Sequence, residues 1–60
     1  MSEYHAITYH SDGTVTYWSV YEQGYRRARR PPYRELREMP HGLRERVMRH
    51  CGIESIDGVQ

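Results

Sequence analysis

The first half of the chain is patterned for strands and the second half for helices. Residues 3–10 (EYHAITYH) and 14–22 (TVTYWSVYE) are dense in β-branched and aromatic side chains, which suit a pleated, half-buried surface. Ser11-Asp12-Gly13 lies between them. A left-handed glycine there closes a three-residue hairpin loop with a bulge, and Asp–Gly would also serve a two-residue turn. The three-residue loop pairs Tyr9 with Val15 and Ile7 with Tyr17 on one face. The other face then holds Thr8 with Thr16, Ala6 with Trp18 and Tyr4 with Val20. Neither face is plainly polar. One is expected to pack on the helical half and the other to remain an aromatic, hydroxyl-rich surface. Trp18, the single tryptophan of a chain without phenylalanine, is the expected largest core anchor. Tyr17 and Tyr21 would then point to the opposite face; in the other register these assignments swap.

Gln23-Gly24 ends the second strand. Tyr25–Arg30 reads either as a third, edge strand protected by its charge or as an extended linker. Pro31-Pro32 forces extended backbone at Arg30 and Pro31 and then suits a helix start. In YRELREM (33–39), Leu36 and Met39 stand at helical spacing. Pro40 cannot continue that helix but is favoured at the start of the next. The second helix is expected over about 40–51, with Leu43, Val47 and Cys51 in one apolar stripe beside Met48. Arg44, Glu45, Arg46 and Arg49 should face water. Arg49 and His50 in the last turn suit the helix dipole. Gly52 fits the left-handed residue after the helix end, with Ile53 folding back onto Met48 or Val47. The remainder of 53–60 is a polar tail.

The reading is a single α+β domain: a β-hairpin over 3–22, an Arg-rich linker or edge strand over 23–32, and two short helices within 33–52. The expected core is Ile7, Trp18 or Tyr17, Val20, Leu36, Met39, Leu43, Val47, Met48 and Ile53. Sixty residues bury only about 60% of the unfolded chain's surface, so extra stability is expected from a homodimer or a docked partner. A lone cysteine, Cys51, closes no internal disulfide, which argues against a stapled secreted scaffold. With no signal-peptide pattern and no apolar run of membrane length, a cytoplasmic location is expected.

Charge changes the picture more than composition does. All nine basic residues are arginine, and the net charge of +1 is unevenly spread. Residues 1–25 carry −3, residues 26–50 carry +6 and residues 51–60 carry −2. The absence of lysine, phenylalanine and asparagine fits a G/C-rich coding sequence, but six tyrosines run against that bias. Guanidiniums are flat forks that bind carboxylates or phosphates and stack on rings, so YRRARRPPYRELR reads first as a contact surface.

Three accounts of that tract compete. As a protein-binding surface it offers the residue types most often found at interface hot spots, with Tyr21, Tyr25, Arg26, Arg27, Arg29, Arg30, Tyr33 and Arg34 as the contact. As a nucleic-acid surface, guanidiniums would meet phosphates and tyrosines would stack on unpaired bases. As a solvated face, it would hold Arg34 and Glu38 as an i, i+4 pair. The interleaved acids and the small net charge favour the first. His5, His10, His41, His50 and Cys51 form no paired-ligand spacing, so no metal or other cofactor is expected. A chain of this size has little room for a catalytic pocket, so no enzymatic activity is expected.

In general build the hairpin TVTYWSVYE followed by the tract YRRARR resembles small mobile-element proteins, including phage-encoded anti-CRISPR inhibitors. That resemblance covers size and composition across the whole chain. It implies stoichiometric occupation of a surface on a larger protein or nucleoprotein complex, in the cytoplasm of a bacterial host. Such proteins share no common fold, so it carries no site residues. Many are acidic mimics of DNA, and this chain departs from that pattern. A nucleic-acid-binding regulator and a small self-associating structural subunit remain the alternatives.

Overall fold

The computed structural model describes residues 6–55. Three antiparallel strands, β1 (Thr8–Tyr9), β2 (Val15–Ser19) and β3 (Gly24–Ala28), form one sheet in the order β1-β2-β3. Two helices follow, α1 (Tyr33–Glu38) and α2 (His41–Cys51). The α+β reading holds, and residues 24–28 are a strand.

The first hairpin has the three-residue loop. Thr8 pairs with Thr16 and Tyr9 with Val15. His10 N–H donates to the Thr14 carbonyl at 3.0 Å and Gly13 N–H to the His10 carbonyl at 3.1 Å. Gly13 sits at φ 88°, a conformation that costs a residue with a Cβ far more. Asp12 Oδ1 accepts from Thr14 N–H at 3.0 Å and from the Thr14 hydroxyl, bracing the loop from within. β1 is shorter than the expected 3–10: Ala6 and Ile7 lie outside it, so the pairs Ile7–Tyr17 and Ala6–Trp18 are not formed. The expected Tyr4–Val20 pair involves a residue outside the described range.

β2 stops at Ser19, three residues before the expected end at Glu22. Ser19 itself causes this. Its hydroxyl accepts from Glu22 N–H at 3.1 Å and its carbonyl from Gln23 N–H at 2.8 Å, curling Val20–Gln23 into a turn. Gln23, at φ 53°, takes the left-handed conformation that closes it. β3 then returns beside β2 with Trp18 opposite Tyr25 and Tyr17 opposite Arg26.

Pro32 and Pro40 each stand just outside a helix with extended backbone, so Pro40 precedes α2 and is not its first helical residue. Their carbonyls accept the first helical hydrogen bonds: Leu36 N–H to Pro32 at 3.0 Å and Arg44 N–H to Pro40 at 2.8 Å. Met39 between the helices is extended, as a residue before proline prefers. At the end of α2, Gly52 adopts φ 75° and Ile53 N–H reaches back to the Met48 carbonyl at 2.8 Å, which seats Ile53 in the core. Among the described residues no helix is long and apolar enough to cross a membrane.

The core comprises Val15, Tyr17, Leu36, Met39, Val47, Met48 and Ile53, with Ile7, Val20, Ala28, Leu43 and Cys51 partly buried against it. Trp18 is not the anchor: Tyr17 is fully buried and Trp18 is on the other face, only half-buried. Alternation along β2 puts Val15, Tyr17 and Ser19 under the helices and turns Thr16 and Trp18 away from them. Val15 joins the core unpredicted for the same reason.

Candidate functional site

Pairing of β3 with β2 distributes the arginine tract over two surfaces. Gly24, Arg26 and Ala28 point to the helical side, while Tyr25 and Arg27 point to the open side with Trp18 and Thr16. The expected contact set therefore does not form one patch.

On the open face, Tyr25 is 66% exposed and meets Trp18 edge to face, ring centroids 5.2 Å apart and planes at 84°. This geometry sets the positive ring edge of one against the negative face of the other. His10 Nε2 lies 2.7 Å from the Thr16 hydroxyl beside them. Arg27 closes the patch: its Nε donates to the Thr14 hydroxyl at 2.9 Å and its Nη2 to Asp12 Oδ2 at 3.0 Å. Arg29 donates from Nη1 to the Asp12 carbonyl at 3.0 Å. The two hydrogen bonds from Thr14, with the charge of Arg27, hold the Asp12 carboxyl well below the usual carboxylate range. The loop between β1 and β2 is thus fastened to β3.

Tyr21 and Arg34 of the set meet where the β2–β3 turn approaches α1. Tyr21, 45% exposed, has the Arg34 guanidinium over its ring at 4.9 Å. Arg37 covers the half-buried Tyr33 at 5.3 Å. The expected Arg34–Glu38 pair is absent among the described residues; Arg34 takes the ring of Tyr21 instead. Arg26 pairs with Glu22 in the turn, and its Nε is buried without a hydrogen-bond partner among the described residues. Arg30 is exposed and has no partner among the described residues. Arg26, Arg27 and Arg29 are each held by the protein itself, which leaves fewer guanidiniums unengaged than the tract implies. Arg44, expected in water, is half-buried with Nη2 3.1 Å from His41 Nδ1.

Two sites that sequence reasoning missed support this surface from beneath. Ser19, fully buried, donates to Glu35 Oε1 at 2.6 Å, joining β2 to α1. Glu35 is itself fully buried, and its Oε2 has no partner among the described residues. His50 Nε2 donates to the Thr14 carbonyl at 2.9 Å, and the imidazole stands edge-on to Tyr9, centroids 5.2 Å apart. The end of α2 is thereby tied to the same loop that Arg27 and Arg29 hold. The alternation of β2 separates Trp18 from Tyr17 but does not say which of the two the helices cover.

The chain matches no family model, no curated protein and no solved structure.

Chemically, the open face offers rings, hydroxyls and one forked cation. Among the described residues no group of His, Cys, Asp and Glu could hold a metal. Burial pushes the Cys51 thiol up, against the opposing charge of Arg29, which is the reverse of what a nucleophile needs. An open depression of about 260 Å³ is lined by Glu45, Met48, Arg49, Ile53 and Glu54, and shares no residue with the Tyr/Arg set.

Proposed function

We propose that this protein is a stoichiometric, non-enzymatic binding protein that occupies a surface of a larger protein or nucleoprotein complex. Its contact is the open sheet face, centred on Trp18 and Tyr25 and bordered by Arg27. One observation carries the reading: a tryptophan and a tyrosine in mutual contact on the sheet face turned away from the helices, with Tyr25 two-thirds exposed. Amphipathic rings of this kind supply apolar contact area at low entropy cost, and arginine adds bidentate pairing with acidic groups. Small inhibitors encoded by phages and other mobile elements, which the chain resembles in build, often act in this mode.

The test is capture from the native host followed by reconstitution with the purified partner. The wild-type chain should form a complex of fixed stoichiometry, and Trp18→Ala or Tyr25→Ala should abolish it while the fold persists. Retention of the complex by both variants would overturn the reading. Salt separates it from phosphate binding: an interface with apolar anchors changes little between about 50 and 200 mM salt, whereas a phosphate binder loses orders of magnitude.

A further inference from the structure

We propose that the free edge of β3 accepts an extended acidic segment of the partner as an added strand. This rests on the reading of the protein as a binding module and gives its partner a chemistry.

The hydrogen-bonding phase of the sheet follows from the first loop. His10 and Thr14 are hydrogen-bonded to each other, so Thr16 bonds towards Thr8 and the intervening Tyr9–Val15 pair does not. Backbone groups of successive residues in a strand point to opposite sides, so Val15, Tyr17 and Ser19 bond towards β3. The Ser19 carbonyl, bonded to Gln23 N–H, agrees. Gly24, Arg26 and Ala28 therefore face β2, opposite Ser19, Tyr17 and Val15. The N–H and C=O groups of Tyr25 and Arg27 point outward from the sheet. Neither takes part in the backbone bonds that join other elements among the described residues. β3 is five residues long, against two for β1, and contains neither proline nor glycine beyond its first residue.

Such an edge pairs with another strand unless its side chains forbid it. They disfavour a second copy. Full-length antiparallel pairing of β3 with itself sets Arg26 directly against Arg26, and like charges directly opposite are destabilising. The same charges favour a guest with carboxylates. Between Gly24 and Arg30 there are four arginines and no acid. A guanidinium has five N–H donors. Arg26 uses one group on Glu22, Arg27 uses two on Thr14 and Asp12, Arg29 uses one, and Arg30 uses none among the described residues. The guest residue opposite Tyr25 lies on the open face beside Trp18 and should be apolar. Those opposite Arg26 and Arg27 should be acidic.

The experiment titrates the full chain with a blocked synthetic peptide carrying Glu-Glu-Val between threonines, which in antiparallel pairing sets valine opposite Tyr25 and the glutamates opposite Arg26 and Arg27, and follows amide hydrogen exchange by NMR. With peptide at about tenfold its dissociation constant, exchange at Tyr25 and Arg27 should slow by about tenfold. Gly24, Arg26 and Ala28, already bonded to β2, should change far less. The same peptide with lysine for glutamate should give no protection. Arg27→Ala should weaken the protection, and Arg27→Pro, which removes an outward N–H and no ladder bond, should abolish it. Amide protection at Tyr25 and Arg27 reads the edge alone, whereas partner capture by Trp18→Ala reads the open face, so failure of one is distinguishable from failure of the other. Three results would each overturn the proposal: no alternation in protection along β3, equal protection by the lysine peptide, or protection by a single-stranded oligonucleotide alone.

Discussion

The two faces of the sheet are one residue apart along β2 and have opposite fates. Val15, Tyr17 and Ser19 lie under the helices and are lost to solvent, while Thr16 and Trp18 remain on the open side. Hydrophobicity does not account for this choice, since the open face has the chain's single tryptophan and the covered face includes a serine. What distinguishes them is what the helices supply. Glu35 on α1 gives the Ser19 hydroxyl a buried partner at 2.6 Å, and Leu36, Val47 and Met48 pack with Val15 and Tyr17. A buried polar group with its partner is tolerated where an unpaired one is costly. The covered face is a core with a polar staple, and the open face is a ring-rich surface held by Arg27.

The sharpest way to break that contrast is to truncate one aromatic on each side. Tyr17→Ala should destabilise the fold by about 3–5 kcal/mol, a large share of what so small a domain has. Trp18→Ala, from the larger residue, should cost less than half as much because it lies outside the core cluster and is already partly exposed. Denaturant unfolding followed by circular dichroism measures both, and equal losses would mean that the faces are not distinct. On the helical side of the same core, Val47 is fully buried, and Val47→Ala should cost roughly 1–3 kcal/mol. A change near zero in the same assay would put that helix face outside the core.

The Ser19–Glu35 bond sharpens the comparison further. Ser19→Ala leaves the Glu35 carboxyl buried without its described donor and should cost about 1–2 kcal/mol. Replacing both partners, Ser19→Ala with Glu35→Met, should be less destabilising than the sum of the single changes, because no orphaned group remains. Additive losses would argue that the two side chains do not act as a pair.

Local chemistry was legible in the sequence and the choice of face was not. Gly13 and Asp12 announce the first loop, Gly52 the end of α2 and Pro40 the break between helices, because each acts through its own backbone within a few residues. The swap of Trp18 for Tyr17 arose because a period of two marks two faces without saying which is covered. When both faces bear aromatics, only the approach of α1 and α2 decides. The Ser19–Glu35 bond joins residues sixteen apart, and nothing local predicts it. The arginine tract was visible as a cluster, but its division into Arg26 on one side and Arg27 on the other exists only once residues 24–28 are a strand. Trp18 therefore joins the candidate contact, and Arg26 turns towards the helices.

The smallest expected effect concerns the fastening of the open face. Asp12 accepts from Thr14 and Arg27 in the folded chain, which lowers its pKa below the value of about 3.9 that an unfolded aspartate shows. A depressed folded pKa means that the ionised carboxylate favours the folded state. That contribution is complete above about pH 5 and is lost progressively as the pH falls below that. Asp12→Asn keeps an oxygen for Thr14 but has no charge for Arg27, so wild type should exceed it in stability at neutral pH. The gap should narrow as the solution is acidified. Because the Arg27–Asp12 pair is exposed, added salt should also shrink the gap. A difference between wild type and variant that stayed constant across both pH and salt would mean that Asp12 acts only by shaping the loop. Arg27, keeping its bond to the Thr14 hydroxyl, would then have the rest of its guanidinium for a partner, and the two faces of the sheet would differ in their charge as well as in their cover.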